Sequence, residues 1–163
     1  MRTLGIDPGT SATGWGIVEG EGNRVIHVAH GTIRTRADDP LPRRLLGIFE
    51  GLNQVIAEHH PTVAAVEDIF VSRNVQSALK LGHARGAAII AAGLNGLPVF
   101  EYAALVVKKS VVGYGRAEKP QVQAMVRMLL AMGDAAPRDA ADALAVALCH
   151  IHHAQTPGRG RAA

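Results

Sequence analysis

Apolar residues along this chain change spacing several times, and each change marks an element. Residues 2–7, 13–19 and 24–34 are dense in apolar and β-branched side chains bounded by turn formers, which predicts three strands. The second and third are joined by Glu19-Gly20-Glu21-Gly22-Asn23, a hairpin-like connection. After Pro40 the period lengthens. Leu41, Leu45, Ile48, Phe49, Leu52, Val55 and Ile56 recur every three or four residues, predicting a helix that runs to about His60 and is stopped by Pro61. Residues 62–66 are continuously apolar, as in a strand covered on both faces.

A polar stretch over 68–74 leads into a long helix, about 75–94. Its Ala78, Gly82, Ala84, Gly86, Ala87, Ala88, Ala91 and Ala92 let another element approach closely, either in the core or in a partner subunit. Residues 97–100 read as a short fifth strand, and no element is read between it and the helix that Pro120 opens. Val122, Met125, Val126, Leu129 and Leu130 of that helix keep the helical period, and Pro137 opens a last helix reaching about His153. A meander followed by alternating strand and helix predicts an α/β domain over residues 1–154, a mixed five-stranded sheet flanked by helices. The tail, 155–163, is rich in Gly, Pro and Arg and is expected to be disordered.

Composition narrows the class. The 163 residues suffice for one domain with a proper core, and no apolar run approaches the ~18 residues a membrane span needs. No charged-then-apolar leader is visible, so a cytoplasmic protein without membrane attachment is expected. A single cysteine, Cys149, forms no intrachain disulfide and reads as a small buried hydrophobe. A net charge of +3 with a pI near 9.4 permits an anionic partner without demanding one.

Four carboxylates change this picture. Asp7 ends the run Leu4-Gly5-Ile6, Glu67 ends Val63-Ala64-Ala65-Val66, and Asp139 and Asp142 interrupt an Ala/Leu-rich helix. Ionised carboxylates are costly beside apolar packing unless paired, and a divalent cation pairs with several at once. Asp7 and Glu67 both fall at carboxyl ends of predicted strands, where sites form in α/β sheets. Asp139 and Asp142, at i and i+3, share a face in the first two turns of their helix, where the macrodipole favours negative charge. If the fold gathers the four, they form a magnesium site able to hold two ions about 4 Å apart, the arrangement that hydrolyses phosphodiesters.

The segment after Asp7, Pro8-Gly9-Thr10-Ser11-Ala12-Thr13-Gly14, has two readings: ribonuclease H-type nucleases begin this way, and so do the phosphate loops of actin-like ATPases and sugar kinases. The ATPase-type proteins need two such domains to close around a nucleotide, and no second phosphate loop is present. A second alternative is a binding or scaffolding protein that keeps such a fold without the chemistry, which the presence of all four acids disfavours.

The segments LGIDPGTSATGWGIV, VAAVEDIF, SALKLGHARG, VFEYA, VVGYGRAEKPQVQ and DAADALAVALCH, in this order, resemble the RuvC family of bacterial Holliday junction endonucleases over nearly the whole chain apart from the tail. The resemblance implies a ribonuclease H-like fold and a homodimer that resolves four-way DNA junctions by symmetric nicks in strands of like polarity, in recombination and repair. It further implies dependence on Mg2+, with Mn2+ as a substitute, and partnership with the RuvA-RuvB branch-migration complex. The family's acidic tetrad falls on Asp7, Glu67, Asp139 and Asp142.

Around these acids, Arg73 and Asn74 lie in the polar loop after Glu67 and are suited to gripping phosphate. Phe70, in the same loop, reads by itself as a core aromatic; the resemblance favours stacking on a base at the junction centre. Lys108 and Lys119 correspond by resemblance to lysines near the active centre, with Lys109 an added neighbour. His150, His152 and His153 cluster at the end of the last helix, where cationic decoration of the helix terminus is expected ahead of a transition-metal pair.

Overall fold

Strand β1 (Arg2–Asp7) pairs antiparallel with β2 (Ala12–Glu21), which pairs antiparallel with β3 (Arg24–Arg34). On its other side β1 pairs in parallel with β4 (Val63–Asp68), and β4 with β5 (Val99–Ala103), giving the order β3-β2-β1-β4-β5. The computed structural model describes residues 1–69 and 74–155 in this way. Among the described residues five helices complete it: α1 (Leu41–His59), α2 (Val75–Leu94), α3 (Ala104–Val112), α4 (Lys119–Leu129) and α5 (Arg138–Gln155). The expected mixed sheet flanked by helices is observed.

Side-chain alternation divides the core into two. Leu4, Ile6, Ile17 and Val66 face α1 and α2, meeting Ile48, Leu52, Val55 and Ile56 of the former and Ala84, Ala88 and Ala91 of the latter. On the opposite face Ala65 and Tyr102 meet α5, which is covered in turn by α3 and α4 through Val107, Val111, Val122 and Val126. Helix α5 is buried on nearly every side, from Ala140 to Ile151 with the exception of Asp142. That explains its all-round apolar sequence.

Several expectations shift. Strand β4 continues to Asp68, so Glu67 lies inside it rather than after it. Pro98 lacks the N–H a strand needs, and Leu97 N–H turns back to the Ala92 carbonyl, so β5 begins at Val99 and runs to Ala103. Helix α3 occupies a stretch where none was expected. Its paired valines, Val106-Val107 and Val111-Val112, carry no amphipathic signature, and its helicity comes from burying Val107 and Val111 against the α5 side of the core. Of the small residues of α2, Ala84, Ala88, Ala91 and Ala92 prove to face inward and are fully buried, whereas Gly82 and Gly86 stand in open space and Val75, Leu79, Ile90 and Leu94 are exposed. Beyond Gln155 the tail lies outside the described residues. Among the described residues no helix is long and apolar enough to cross a membrane.

Helix α5 lies unusually close to the sheet. A Cβ added to Gly5 of β1 would stand 2.0 Å from the Ala143 carbonyl oxygen, and one added to Gly14 of β2 would stand 1.9 Å from that of Asp139. Both obstacles are backbone and cannot rotate away. Gly5→Ala is therefore expected to cost about 3 kcal/mol or more, a fall in Tm of roughly 6–12 °C. The control Gly82→Ala, in open space on α2, should leave the Tm unchanged or raise it. Equal melting of the two variants would show that the close approach is not a constraint.

Candidate active site

Because Leu4, Ile6 and Val66 point to one core, the intervening Gly5, Asp7, Ala65 and Glu67 point to the other, beneath α5. Ile6 pairs with Val66, so one step further along these parallel strands Asp7 and Glu67 stand side by side, joined by a hydrogen bond between their carboxyl groups. The cross-strand partner of Asp7 is Gly14, and the atom filling the space over Gly14 is the Asp139 carbonyl. Asp142 follows one turn later on α5. The turn after Asp7 is braced by Thr13, whose hydroxyl donates to the Gly9 carbonyl at 2.8 Å and accepts from Gly9 N–H at 3.3 Å.

Burial and crowding of like charges set the electrostatics. Asp7 is pushed from the ordinary 3.8 to about 8, by burial first and then by the negative charges of Glu67 and Asp142. Glu67 is also raised, chiefly by burial. A rise of that size favours the protonated form of Asp7 beside Glu67 near neutral pH. Lys119, at the first turn of α4, donates to Asp142 Oδ2 at 3.0 Å. Lys108 of α3 and Lys119 lower the Glu67 shift, and both line an open cleft with Glu67, Val107, Val122 and Asp142.

The structure therefore brings Asp7, Glu67 and Asp142 into electrostatic contact with one another and with Lys119, and Glu67 also with Lys108. For Asp139 it is the backbone that is placed, over the cross-strand partner of Asp7. Among the described residues no three Asp, Glu, His or Cys side chains are gathered tightly enough to hold a metal ion as they stand. Like charges without a counter-ion keep apart, and Lys119 draws Asp142 to itself. The donor set nonetheless suits a hard divalent cation: carboxylate oxygens only, in excess of the cations beside them, with one pair satisfied only by keeping a proton.

Of the other expected residues, Phe70 and Arg73 lie outside the described residues. Asn74 is exposed and caps α2, its side-chain oxygen accepting from Ser77 N–H at 3.2 Å. Lys109 is exposed on α3.

The His150 expectation is corrected. It is buried rather than decorating a helix end, bonded to the Tyr102 hydroxyl at 2.9 Å, and burial with His153 nearby lowers its pKa. Cys149 is buried as expected, its thiol pushed up to about 12 by burial. Sequence reading missed Arg85 of α2. It pairs with Glu101 of β5 and, at 3.7 Å, with Asp68 of β4, clamping together the strand ends next to Glu67. Its only sequence signal was a lone arginine on an Ala/Gly-rich helix.

A five-stranded sheet of this order, with acids at the ends of β1 and β4 and on a helix packed across them, defines a ribonuclease H-like nuclease fold. Residues 3–150 match the family described as "Crossover junction endodeoxyribonuclease RuvC". Proteins of that name from Syntrophotalea carbinolica and Citrifermentans bemidjiense are 60% and 57% identical, over 93% and 94% of this chain and 94% of each relative. Thermus thermophilus RuvC in complex with Holliday junction substrate superposes with a TM-score of 0.93 at 34% identity, covering 100% of this chain and 99% of that one. The yeast mitochondrial Holliday junction resolvase, 14% identical with a TM-score of 0.66 over 93% of this chain and 78% of its own, shares the fold. The chain belongs to the RuvC family of crossover junction endodeoxyribonucleases, the Holliday junction resolvases.

The acid pair sets a pH dependence. Asp7 holds its proton more tightly folded than unfolded, so its stabilising contribution is complete below the unfolded value of 3.8 and is lost as pH rises through about 8. In chelator, Asp7→Asn, which has no proton to lose, should melt above the unaltered protein at pH 8–9. The difference should shrink steadily toward pH 5. A gap independent of pH would refute the shared proton.

Proposed function

We propose that this chain resolves four-way DNA junctions by hydrolysing phosphodiesters at the Asp7–Glu67–Asp142 site with divalent cations, Mg2+ or in its place Mn2+. The observation that carries the reading is the placing of Asp7 and Glu67 side by side on β1 and β4, with Asp142 of α5 lining the same cleft as Glu67, a crowding of carboxylates that a cation would relieve. Asp7, Glu67 and Asp142 would hold the ions, with Asp139 joining them from the first turn of α5. Two bound divalent ions would supply an activated water and neutralise the leaving oxygen of the phosphodiester. Asp7 would give up its proton as a ligand, and Asp142 would turn from Lys119, leaving that ammonium, with Lys108, to face a phosphate in the cleft. Asn74, exposed at the start of α2, offers a side-chain amide donor to DNA, and Phe70 and Arg73, which lie outside the described residues, join it as DNA contacts by family membership alone.

Affinity for the junction comes mainly from basic contacts to phosphate, and chemistry from the acids. Asp7→Asn should therefore bind a synthetic four-way junction as the unaltered protein does, yet cleave it roughly a thousand-fold more slowly, about 4 kcal/mol of lost transition-state stabilisation. Chelation should abolish cleavage and Mg2+ restore it. Binding and cleavage falling together would sink the separation of roles.

Two symmetric nicks need two active sites related by a two-fold axis, which an isologous dimer supplies. The exposed Val75, Leu79, Ile90 and Leu94 fall within about 100° of arc on α2 and form the apolar face available for it. Leu79→Glu with Ile90→Glu should sediment as a monomer and release nicked, unresolved junctions. A double variant that still resolves junctions as a monomer would overturn this. The reading also includes action in the cytoplasm on recombining and damaged DNA, with the RuvA-RuvB complex as the partner presenting the junction. These last elements rest on family membership.

A further inference from the structure

Few directional bonds tie α5 to the rest of the molecule. Among the described residues, Asp142 meets Lys119 in the cleft, His152 meets Ser110 of α3, Gln155 donates to the Gly22 carbonyl, and His150 meets Tyr102. The first must be released when a cation takes Asp142, and the next two are partly or wholly at the surface. The bond between His150 and Tyr102 is buried: the residues are 4% and 7% exposed, and the imidazole also lies 4.6 Å from the Phe100 ring. What remains between α5 and β1–β2 is helix backbone against Gly5 and Gly14 and the side chains of Leu144 and Ile151 against Gly16 and Gly20. That contact is close but non-directional, so sliding along the helix axis meets steric resistance alone there.

The buried bond is placed to oppose it. Tyr102 is the cross-strand partner of Glu67, on the same face of the sheet. His150 stands roughly two turns beyond Asp142 on α5, about 12 Å at 1.5 Å per residue. One hydrogen bond thus connects the strand position beside Glu67 to the helix carrying Asp139 and Asp142. We propose that Tyr102 and His150 are positioning residues: their bond sets the axial register of α5 against β4, and with it the separation at which Glu67 and Asp142 share a cation. Neither touches the reacting atoms. The inference rests on the metal-dependent reading above.

The test uses the full chain without DNA and Mn2+ as probe, following the free aqua ion by electron paramagnetic resonance. Tyr102→Phe keeps the ring and removes the hydroxyl; His150→Leu removes the nitrogen partner; His150→Asn returns an amide near the position of Nδ1. Tyr102→Phe and His150→Leu should each weaken Mn2+ binding about ten-fold, the usual scale for groups that orient metal ligands. The double variant should be no worse than either alone, and His150→Asn should recover most of the affinity.

Melting in chelator and circular dichroism at the titration temperature establish that each variant is folded. A purely structural role would lower the Tm and leave the Mn2+ midpoint of the folded protein where it was. Junction binding without metal should be unchanged. A folded Tyr102→Phe with the unaltered midpoint overturns the positioning role while leaving metal-dependent cleavage intact. An unaltered protein that takes up no Mn2+ and cuts with no divalent ion overturns the metal reading, and this inference with it.

Discussion

The seating of α5 on a glycine-lined strip of β1 and β2 is the contact on which the site depends. A helix ordinarily stands off a sheet by the bulk of two layers of side chains. Here Gly5 and Gly14 remove one layer and the alanines of α5 thin the other, so helix carbonyls rest on strand backbone. Only at that distance can short aspartate side chains at the start of α5 reach acids on the strands. The same contact lets α5 be buried on its far side by α3 and α4, and these helices deliver Lys108 and Lys119 to the cleft. One steric feature therefore gathers residues from opposite ends of the chain.

The acids so gathered are not at rest. Burial and mutual charge raise the pKa of both Asp7 and Glu67, and Asp142 is held by Lys119. A ribonuclease H-like sheet with a fully apolar strand-end cluster would be more stable and chemically inert. Function here is drawn from local electrostatic conflict held in place by a rigid surround. Arg85 contributes to that surround, clamping Asp68 and Glu101 at the strand ends, and its own Nε is buried with no hydrogen-bond partner among the described residues.

Much of this was legible residue by residue. Asp7 and Glu67 stood out because a charge closing an apolar run has few bland explanations, and strand-end placement put them at the same edge. The strands of the meander, α1 and α5 were read near their observed limits because their apolar spacing is strong. Helix α3 was missed because Val106-Val107 and Val111-Val112 give neither period, and Lys108 was therefore identified without the element that carries it. The inward face of α2 was ambiguous in principle: alanine spacing says that something packs closely, not whether it is α1 or a second copy. His150 was misjudged because His152 and His153 beside it suggest a solvated helix end, and nothing local reveals that Tyr102 lies opposite.

What the chain alone determined, then, was the elements with a strong apolar period, the family, and the acids that do not belong where they sit. Those follow from short-range physics: side-chain period, turn chemistry, and the cost of a charge beside apolar neighbours. Which acids share a proton, which lysine answers which carboxylate, and which histidine is buried were decided only by tertiary structure. Each depends on the distance between residues far apart in sequence, and that distance is set by how closely α5 can approach the sheet, a packing property that no single segment contains.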